Sequence, residues 1–249
     1  MTATPAPRKL RVWDLPTRLF HWSLLALVLV SWFSGGEEDT AVIHRLSGMA
    51  LAGLIVFRFI WGFAGNEHAR FASFFPNPGA ILAHLKNTAS GKPDRHLGHN
   101  PAGGVAVFLL LASVSACVIT GLFSSGEGLS GPFVTMFGLD MSEIHELAFR
   151  ALQALVALHL LGVVVETWRA RDALVPAMIT GQKTRRAGEP GSDAKPGSAI
   201  GLVIALLIGG ATSAGLWALP APAPAEDGGR GSEQRGEEDH DGDRDRDRD

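Results

Sequence analysis

The sequence predicts an all-α membrane protein, in which a bundle of four transmembrane helices is followed by a fifth C-terminal transmembrane helix and a disordered charged tail. Five apolar stretches have about the 20 residues that an α-helix needs to cross a bilayer, at residues 17–33, 41–63, 103–123, 145–165 and 200–219. Among the connections between spans, only alternate ones contain Lys and Arg, and all six Trp lie close to a predicted span end, where amphipathic rings favour the headgroup region. Because lipid offers no hydrogen bonds to the backbone, these stretches have to be helical.

Whole-chain averages hide this organisation. The 249 residues are 46% hydrophobic and 19% charged, with a formal net charge of −3, as in many soluble domains. Residues 221–249, however, hold 11 Asp or Glu and 5 Arg, so the tail carries −6 and the first 220 residues carry +3. The single Cys117 excludes a disulfide within the chain and a metal site built from several thiolates.

The charges of the connections predict the orientation. The N-terminal segment, the second connection and the fourth connection are rich in Lys and Arg, whereas residues 34–40 and 124–144 contain neither. Positively charged connections stay in the cytoplasm. We therefore expect a cytoplasmic N-terminus, with the tail after the fifth span on the periplasmic side.

The first span has an alternative interpretation. A basic segment, an apolar run from Leu24 to Val30 and the small residues 34–36 also fit a cleaved signal peptide. We favour a span, because cleavage would leave four spans and would remove His21.

The rest of the chain divides by composition. Residues 184–199 predict a cytoplasmic linker and residues 200–219 an extra transmembrane helix. Residues 220–249 are charged and contain almost no apolar side chain besides Ala, which predicts a disordered periplasmic tail.

Four of the nine His lie in the predicted spans or at their margins, where ionisable residues are costly and usually functional. His21 lies about one turn into the first span from the cytoplasmic side, and His44 about one turn into the second from the outer side. In the fourth span, His145 and His159 are 14 residues apart, which places them on one helix face at a separation of ~21 Å. In depth, His145 matches His44 and His159 is nearer to His21.

Two His pairs at two depths suit two stacked haems, in which each iron takes one imidazole nitrogen on either side of the porphyrin. The haems would be of b type, because the sequence lacks Cys-x-x-Cys-His. A single His within a membrane could equally donate an interhelical hydrogen bond, but two depth-matched pairs favour haem. Structural zinc needs four ligands around one ion, which two separated pairs do not supply.

Several short motifs follow one another in a specific order, namely Trp13–Arg18 leading into Phe20–Trp22, His44 with Gly48, His68–Phe71, Gly98–Pro101, His145-Glu146, Leu158-His159 and Ala177–Gly181. From Val12 to about Lys183 the chain resembles the bacterial cytochrome b561 and nickel-hydrogenase cytochrome b subunit family. The resemblance implies a four-helix transmembrane di-haem bundle within residues 1–183. It also implies that His21 with His159 binds the cytoplasmic-side haem and that His44 with His145 binds the periplasmic-side haem. The fifth span and the tail lie outside it.

Further residues are candidates for contacts with these groups. Arg45, Arg58 and Arg150 are candidates to neutralise haem propionates, although snorkelling to the headgroups is the alternative, with equal weight for Arg58. His99 begins the third span on the cytoplasmic side, where it could hydrogen-bond a quinone or deliver a proton to it. Since Asn100 and Pro101 follow, His99 could equally belong to a helix cap.

The sequence therefore predicts a b-type di-haem cytochrome of the bacterial inner membrane that transfers electrons between the quinone pool and a redox partner. That partner could be a periplasmic or membrane protein such as a c-type cytochrome or a hydrogenase. We expect no nucleic acid as partner. The sequence leaves open whether the protein forms a homodimer. It also leaves open whether the protein acts as a quinol-oxidising or quinone-reducing subunit. The alternatives are a His-lined proton or metal transporter and the membrane anchor subunit of a hydrogenase-like complex.

Overall fold

The computed structural model describes residues 7–92, 95–126, 130–185 and 191–220, and within them the protein is mostly helical. Five of the described helices are long and apolar enough to cross a membrane, which confirms the predicted all-α membrane fold. They are α1 (Leu15–Ser34), α2 (Ala41–Ala64), α4 (Pro101–Gly121), α6 (Ser142–Arg169) and α8 (Ala199–Ala218). The shorter elements are β1 (Arg8–Arg11), α3 (Pro78–Ala89), α5 (Val134–Phe137), α7 (Leu174–Thr180) and β2 (Gln182–Arg185). The predicted tail lies outside the described residues from 221 onward.

Side-chain caps determine where several of these helices begin. The Asp14 carboxylate accepts from Thr17 N at 2.9 Å at the start of α1, and Asn100 accepts from Gly103 N at 2.6 Å at the start of α4. Pro occupies the first turn of both helices, where its missing N–H costs no hydrogen bond. Ser198 caps α8 in the same way, by accepting from Gly201 N at 3.1 Å.

The transmembrane helices pack antiparallel in pairs, α1 against α2 and α4 against α6, and α2 also packs against α4. One buried cluster joins Leu51 and Ile55 of α2 to Val114 of α4 and Leu152 of α6. We call the end of the bundle at which α1 begins the inner end and the opposite end the outer end.

The fifth transmembrane helix is an integral part of this bundle. Helix α8 lies along α2 at Gly53 and Gly209, so close that a Cβ added to Gly209 would lie 2.7 Å from Gly53 O. The Ser213 hydroxyl donates to Met49 O at 3.1 Å, one turn further along. Small residues at a helix crossing allow this backbone approach.

A small cap closes the inner end. Strands β1 and β2 pair antiparallel, with Leu10 opposite Lys183, so the first described segment is joined to a segment about 170 residues later. Residues 191–198, within the stretch predicted as a linker, contact this cap and the end of α2. Ala194 N donates to Arg11 O and Ser198 N donates to Ala64 O, each at 2.8 Å.

Candidate functional site

The two His at the outer end face each other. His44 on α2 and His145 on α6 have ring centroids 6.1 Å apart, with the rings nearly perpendicular at 88°. His44 Nδ1 lies 2.8 Å from Ser31 O, and His145 Nδ1 lies 2.9 Å from Cys117 O. Because a carbonyl can only accept, each Nδ1 carries the hydrogen and donates it. Each Nε2 is therefore left with a lone pair.

This arrangement fits a metal ion held between two imidazoles. A His ligand usually donates its second ring nitrogen to a carbonyl or carboxylate, which fixes the tautomer and the ring orientation. A metal ion between the rings would need metal–nitrogen bonds of about 2.0–2.1 Å, as zinc–imidazole bonds have. The 6.1 Å between the ring centroids leaves room for one ion between them. The donor set thus suits the iron of a b-type haem.

Two glycines leave room beside these rings. A Cβ added to Gly35 would lie 3.2 Å from His44 Nδ1, and one added to Gly121 would lie 3.1 Å from His145 Cε1. Both distances are shorter than an ordinary contact, so larger residues would push the rings away from their positions.

The two His nearer the inner end come from α1 and α6. His21 and His159 lie within electrostatic range of each other, and His21 Nδ1 is buried with no hydrogen-bond partner in the described part of the chain. Helix α7 lies next to this part of α1, since Trp22 Nε1 donates to Met178 O at 3.3 Å and Arg18 Nη1 to Ile179 O at 2.5 Å. The structure thus places His44 beside His145 and His21 within electrostatic range of His159.

Arg58 is buried at the inner side of α2. Its side chain is only 3% exposed, its Nη2 donates to Ala69 O at 3.1 Å, and its guanidinium lies 4.7 Å from the centre of the Phe71 ring. Nη1 is buried and has no partner among the described residues. A buried guanidinium N–H without an acceptor is costly, and a negatively charged group placed beside it would accept its hydrogen bond. Snorkelling to the headgroups does not describe this side chain.

His99 lies at the start of α4 against aromatic rings, with its centroid 4.8 Å from Trp13 and 4.3 Å from Phe74. Burial lowers the pKa of His99 to about 3, and the nearby positive charge of Arg58 acts in the same direction. His99 is therefore a neutral imidazole at physiological pH. Its Nδ1 is buried and has no partner in the described structure, whereas Asn100 supplies the helix cap.

The other two predicted Arg make different contacts. Arg45 Nη2 donates to Leu219 O at 3.0 Å, just beyond the end of α8. Arg150 pairs with Glu146 one turn earlier in α6, and its side chain is 68% exposed. The structure thus gives Arg150 a partner of its own at the surface of the bundle.

The sequence analysis missed a group of charged residues at the inner end. Lys183 Nζ lies 2.8 Å from Asp172 Oδ2 and donates to His96 O at 3.0 Å, and Arg95 Nη2 lies 3.3 Å from Asp172 Oδ1. Nearby, His84 of α3 meets Glu166 of α6. No local pattern links these residues, since they come from four separate segments.

The described residues contain no group of three or more His, Cys, Asp or Glu that could hold a metal ion by themselves. The transmembrane His are therefore arranged as pairs. A pair of imidazoles would supply two nitrogen ligands to a haem iron, and the porphyrin would supply the others.

Comparison with known proteins agrees with this geometry. The family model of prokaryotic cytochrome b561 matches residues 12–181. The "probable Ni/Fe-hydrogenase B-type cytochrome subunit" of Bradyrhizobium diazoefficiens is 26% identical over 212 residues, which cover 70% of this chain and 86% of that protein. The protein of the same name from Rhizobium leguminosarum bv. viciae is 26% identical over 209 residues, 69% of this chain and 87% of the relative.

A more distant relative is the "probable Ni/Fe-hydrogenase 1 B-type cytochrome subunit" of Escherichia coli K12, 23% identical over 222 residues, which cover 72% of this chain and 92% of that protein. No solved structure matches the chain. The family model covers all four predicted ligands and the three helices that carry them, α1, α2 and α6. The chain belongs to the prokaryotic cytochrome b561 family.

Proposed function

We propose that the protein holds two b-type haems and carries electrons across the membrane between a redox partner at the outer end and quinone at the inner end. As a member of the cytochrome b561 family, it is a membrane b-type cytochrome of electron transfer. The observation that most supports the finer proposal is the His44–His145 pair, with its 6.1 Å centroid separation and its two Nδ1 atoms held by carbonyls.

In this proposal His44 and His145 hold the outer haem, and His21 and His159 hold the inner one. A bound b-type haem supplies a one-electron redox centre, whose potential depends on its axial ligands and its surroundings. The role of the chain is to hold the imidazoles as neutral ligands. Ser31 O and Cys117 O do this at the outer pair by accepting from Nδ1.

Positive side chains near each pair would neutralise the haem propionates. Arg58 suits the inner haem, because its buried Nη1 has no partner in the described structure. Arg45 and Arg150 are the proposed cations for the outer haem. Arg45 carries more of this role, since Arg150 already pairs with Glu146.

The quinone would bind at His99, which is neutral and offers one buried ring nitrogen without a partner in the described chain. A neutral imidazole can hydrogen-bond a quinone oxygen as donor or acceptor. His99 also lies within electrostatic range of His159, which supports a quinone site near the inner haem.

The partner at the outer end is proposed from the relatives, which are named as hydrogenase cytochrome subunits. We propose a hydrogenase, or a c-type cytochrome in its place. The connections that face this end contain no Lys or Arg, so a partner with basic residues around its redox centre would approach favourably. In this proposal the protein lies in the inner membrane of a bacterium, with its N-terminus and the inner end of the bundle on the cytoplasmic side.

Two measurements on the purified full-length protein in phospholipid nanodiscs test this function. Haem quantification should give two b-type haems per chain with low-spin spectra. A water-soluble quinol should reduce the inner haem, and replacement of His99 by Phe should slow this reduction while the haem content stays at two. A colourless protein, or haem that no quinol or quinone affects, would contradict the proposal.

A further inference from the structure

A buried acid and a buried base meet at the inner end, outside the four His and the Arg assigned above. Glu166 lies on α6, two turns beyond His159, and its Oε2 is 3.9 Å from His84 Nε2 on α3. The two side chains are 10% and 4% exposed. At this separation they do not form a direct hydrogen bond, but one bridging water or a small side-chain rotation would connect them.

Burial makes the protonation state of this pair important. A carboxylate removed from water without a counter-charge is strongly destabilised. His84 is the group that faces the Glu166 carboxylate, across a separation of 3.9 Å between Nε2 and Oε2. His84 Nδ1 is buried and has no hydrogen-bond partner among the described residues, so the ring keeps a second nitrogen for exchanging a proton.

Polar groups continue from this pair toward the site proposed for the quinone. The His96 ring lies 5.7 Å from the His84 ring, and His96 O accepts from Lys183 Nζ at 3.0 Å. Lys183 in turn lies within electrostatic range of His99. The other charged groups around the pair are Arg169, whose Nη1 donates to Thr88 O at 2.7 Å, together with Asp172 and Arg95. The described structure thus links α3, the end of α6 and β2 into one polar region at the inner end.

We infer that His84 and Glu166 form a proton-exchange pair that serves quinone chemistry at the inner end. The inference rests on the proposed function. A quinone that takes two electrons becomes a quinol by forming two O–H bonds, so two protons have to reach its oxygens. In this proposal the redox partner would supply the two electrons by way of the bound haem, and the pair passes on the two protons and regains each one from water on the cytoplasmic side. Quinol oxidation runs the same steps in reverse.

A purely structural role for the pair predicts something different. His84 is the buried residue of α3, so its contact with Glu166 could simply hold α3 against the bundle. In that case removal of the carboxylate would lower thermal stability and leave proton exchange unchanged. The test therefore has to measure protonation directly as well as rate.

The experiment uses the full-length, haem-loaded protein in phospholipid nanodiscs, with the variants Glu166→Gln, Glu166→Asp and His84→Gln. Glu146→Gln is the matched control, because Glu146 lies on the same helix with an exposed ion pair. Infrared difference spectra between reduced and oxidised protein report protonation of a buried carboxyl group. Stopped-flow measurements give the rate at which a soluble quinone oxidises the reduced haem. Repeating them at several pH values shows whether protonation of the pair limits that rate.

We expect a carboxyl C=O difference band that is absent in Glu166→Gln, shifted in His84→Gln and unchanged in Glu146→Gln. Haem oxidation by quinone should slow by about 10²-fold in Glu166→Gln, the lower range for loss of a proton-transfer group, and Glu166→Asp should recover most of the rate. An unchanged band and an unchanged rate in Glu166→Gln with both haems bound would overturn the inference while leaving the proposed function intact. If Glu166→Gln does not bind haem, His84→Gln decides in the same way. Loss of haem signals from the unmodified protein would instead overturn the proposed function.

Discussion

The imidazole rings of His44 and His145 lie 6.1 Å apart and nearly perpendicular, each with its Nδ1 held by a backbone carbonyl. One ring comes from α2 and the other from α6, so this relationship depends on the whole bundle. The other two helices hold these rings in place, because Ser31 O of α1 accepts from His44 and Cys117 O of α4 accepts from His145.

The glycines beside these rings predict a selective effect on the outer haem. Replacing Gly121 by Val should displace the His145 ring, because even a Cβ would lie 3.1 Å from its Cε1. We expect loss of about half of the haem with little change in the helical circular dichroism. Gly162→Val is the control, since a Cβ at Gly162 contacts nothing within 4 Å. Full haem content in Gly121→Val would contradict this assignment.

The crossing of α2 and α8 predicts that the fifth helix stabilises the bundle. Replacing Gly209 by Leu should force the helices apart, at a cost of about 1–3 kcal/mol typical of overpacking. Thermal unfolding in detergent should show a lower midpoint. Gly210→Leu, at a neighbouring position with nothing within 4 Å of its Cβ, should unfold like the parent. Equal midpoints for both variants would show that α8 does not pack on α2 in this way.

The ion pairs of Asp172 predict a strong contribution at the inner end. Lys183 and Asp172 are both buried, so Lys183→Met leaves the carboxylate with Arg95 as its remaining ion-pair partner. We expect a loss of about 2–4 kcal/mol in the free energy of unfolding, near the range for breaking a buried pair. The exposed pair of Arg150 and Glu146 serves as comparison, and Arg150→Gln should cost less than about 1 kcal/mol. Denaturant titrations measure both, and a similar cost for the two variants would contradict this view of the inner cap.

The pKa of His99 predicts how stability changes with pH. Burial lowers this pKa from 6.5 to about 3, so below pH 6.5 the unfolded chain binds a proton that the folded chain does not. Stability therefore falls as the pH is lowered from 6.5 toward 3. His99→Gln should weaken this fall, as measured by thermal midpoints at pH 7.5 and pH 5.0. An identical pH dependence in the variant and the parent protein would show that His99 is not held neutral by the fold.

The sequence was sufficient for the spans and the His because each leaves a local signal. An apolar run of about 20 residues predicts a membrane helix whatever surrounds it, and a His inside such a run is conspicuous. Two of the proposed ligands, His145 and His159, share one helix, so helical geometry alone predicted that they lie on one face. The depth of the other two followed from the direction in which each span runs.

Other features depend on contacts that no local pattern encodes. The small residues of α8 would also suit a helix surrounded by lipid. The close crossing of α8 and α2 becomes evident only from the structure, in which Gly209 lies against Gly53 of α2. The pairing of β1 with β2 joins segments about 170 residues apart. His84 and Glu166 meet because α3 docks at the end of α6, a position set by the tertiary structure.

The partition of haem between the two His pairs tests the central claim most directly. Reduced-minus-oxidised spectra with haem quantification should be recorded during redox titration of the purified parent protein and of His145→Ala and His159→Ala. We predict two haems with two midpoint potentials in the parent, loss of the outer haem alone in His145→Ala, and loss of the inner haem alone in His159→Ala. Loss of both haems from either variant while it remains folded, or retention of both, would contradict two separate bis-imidazole sites.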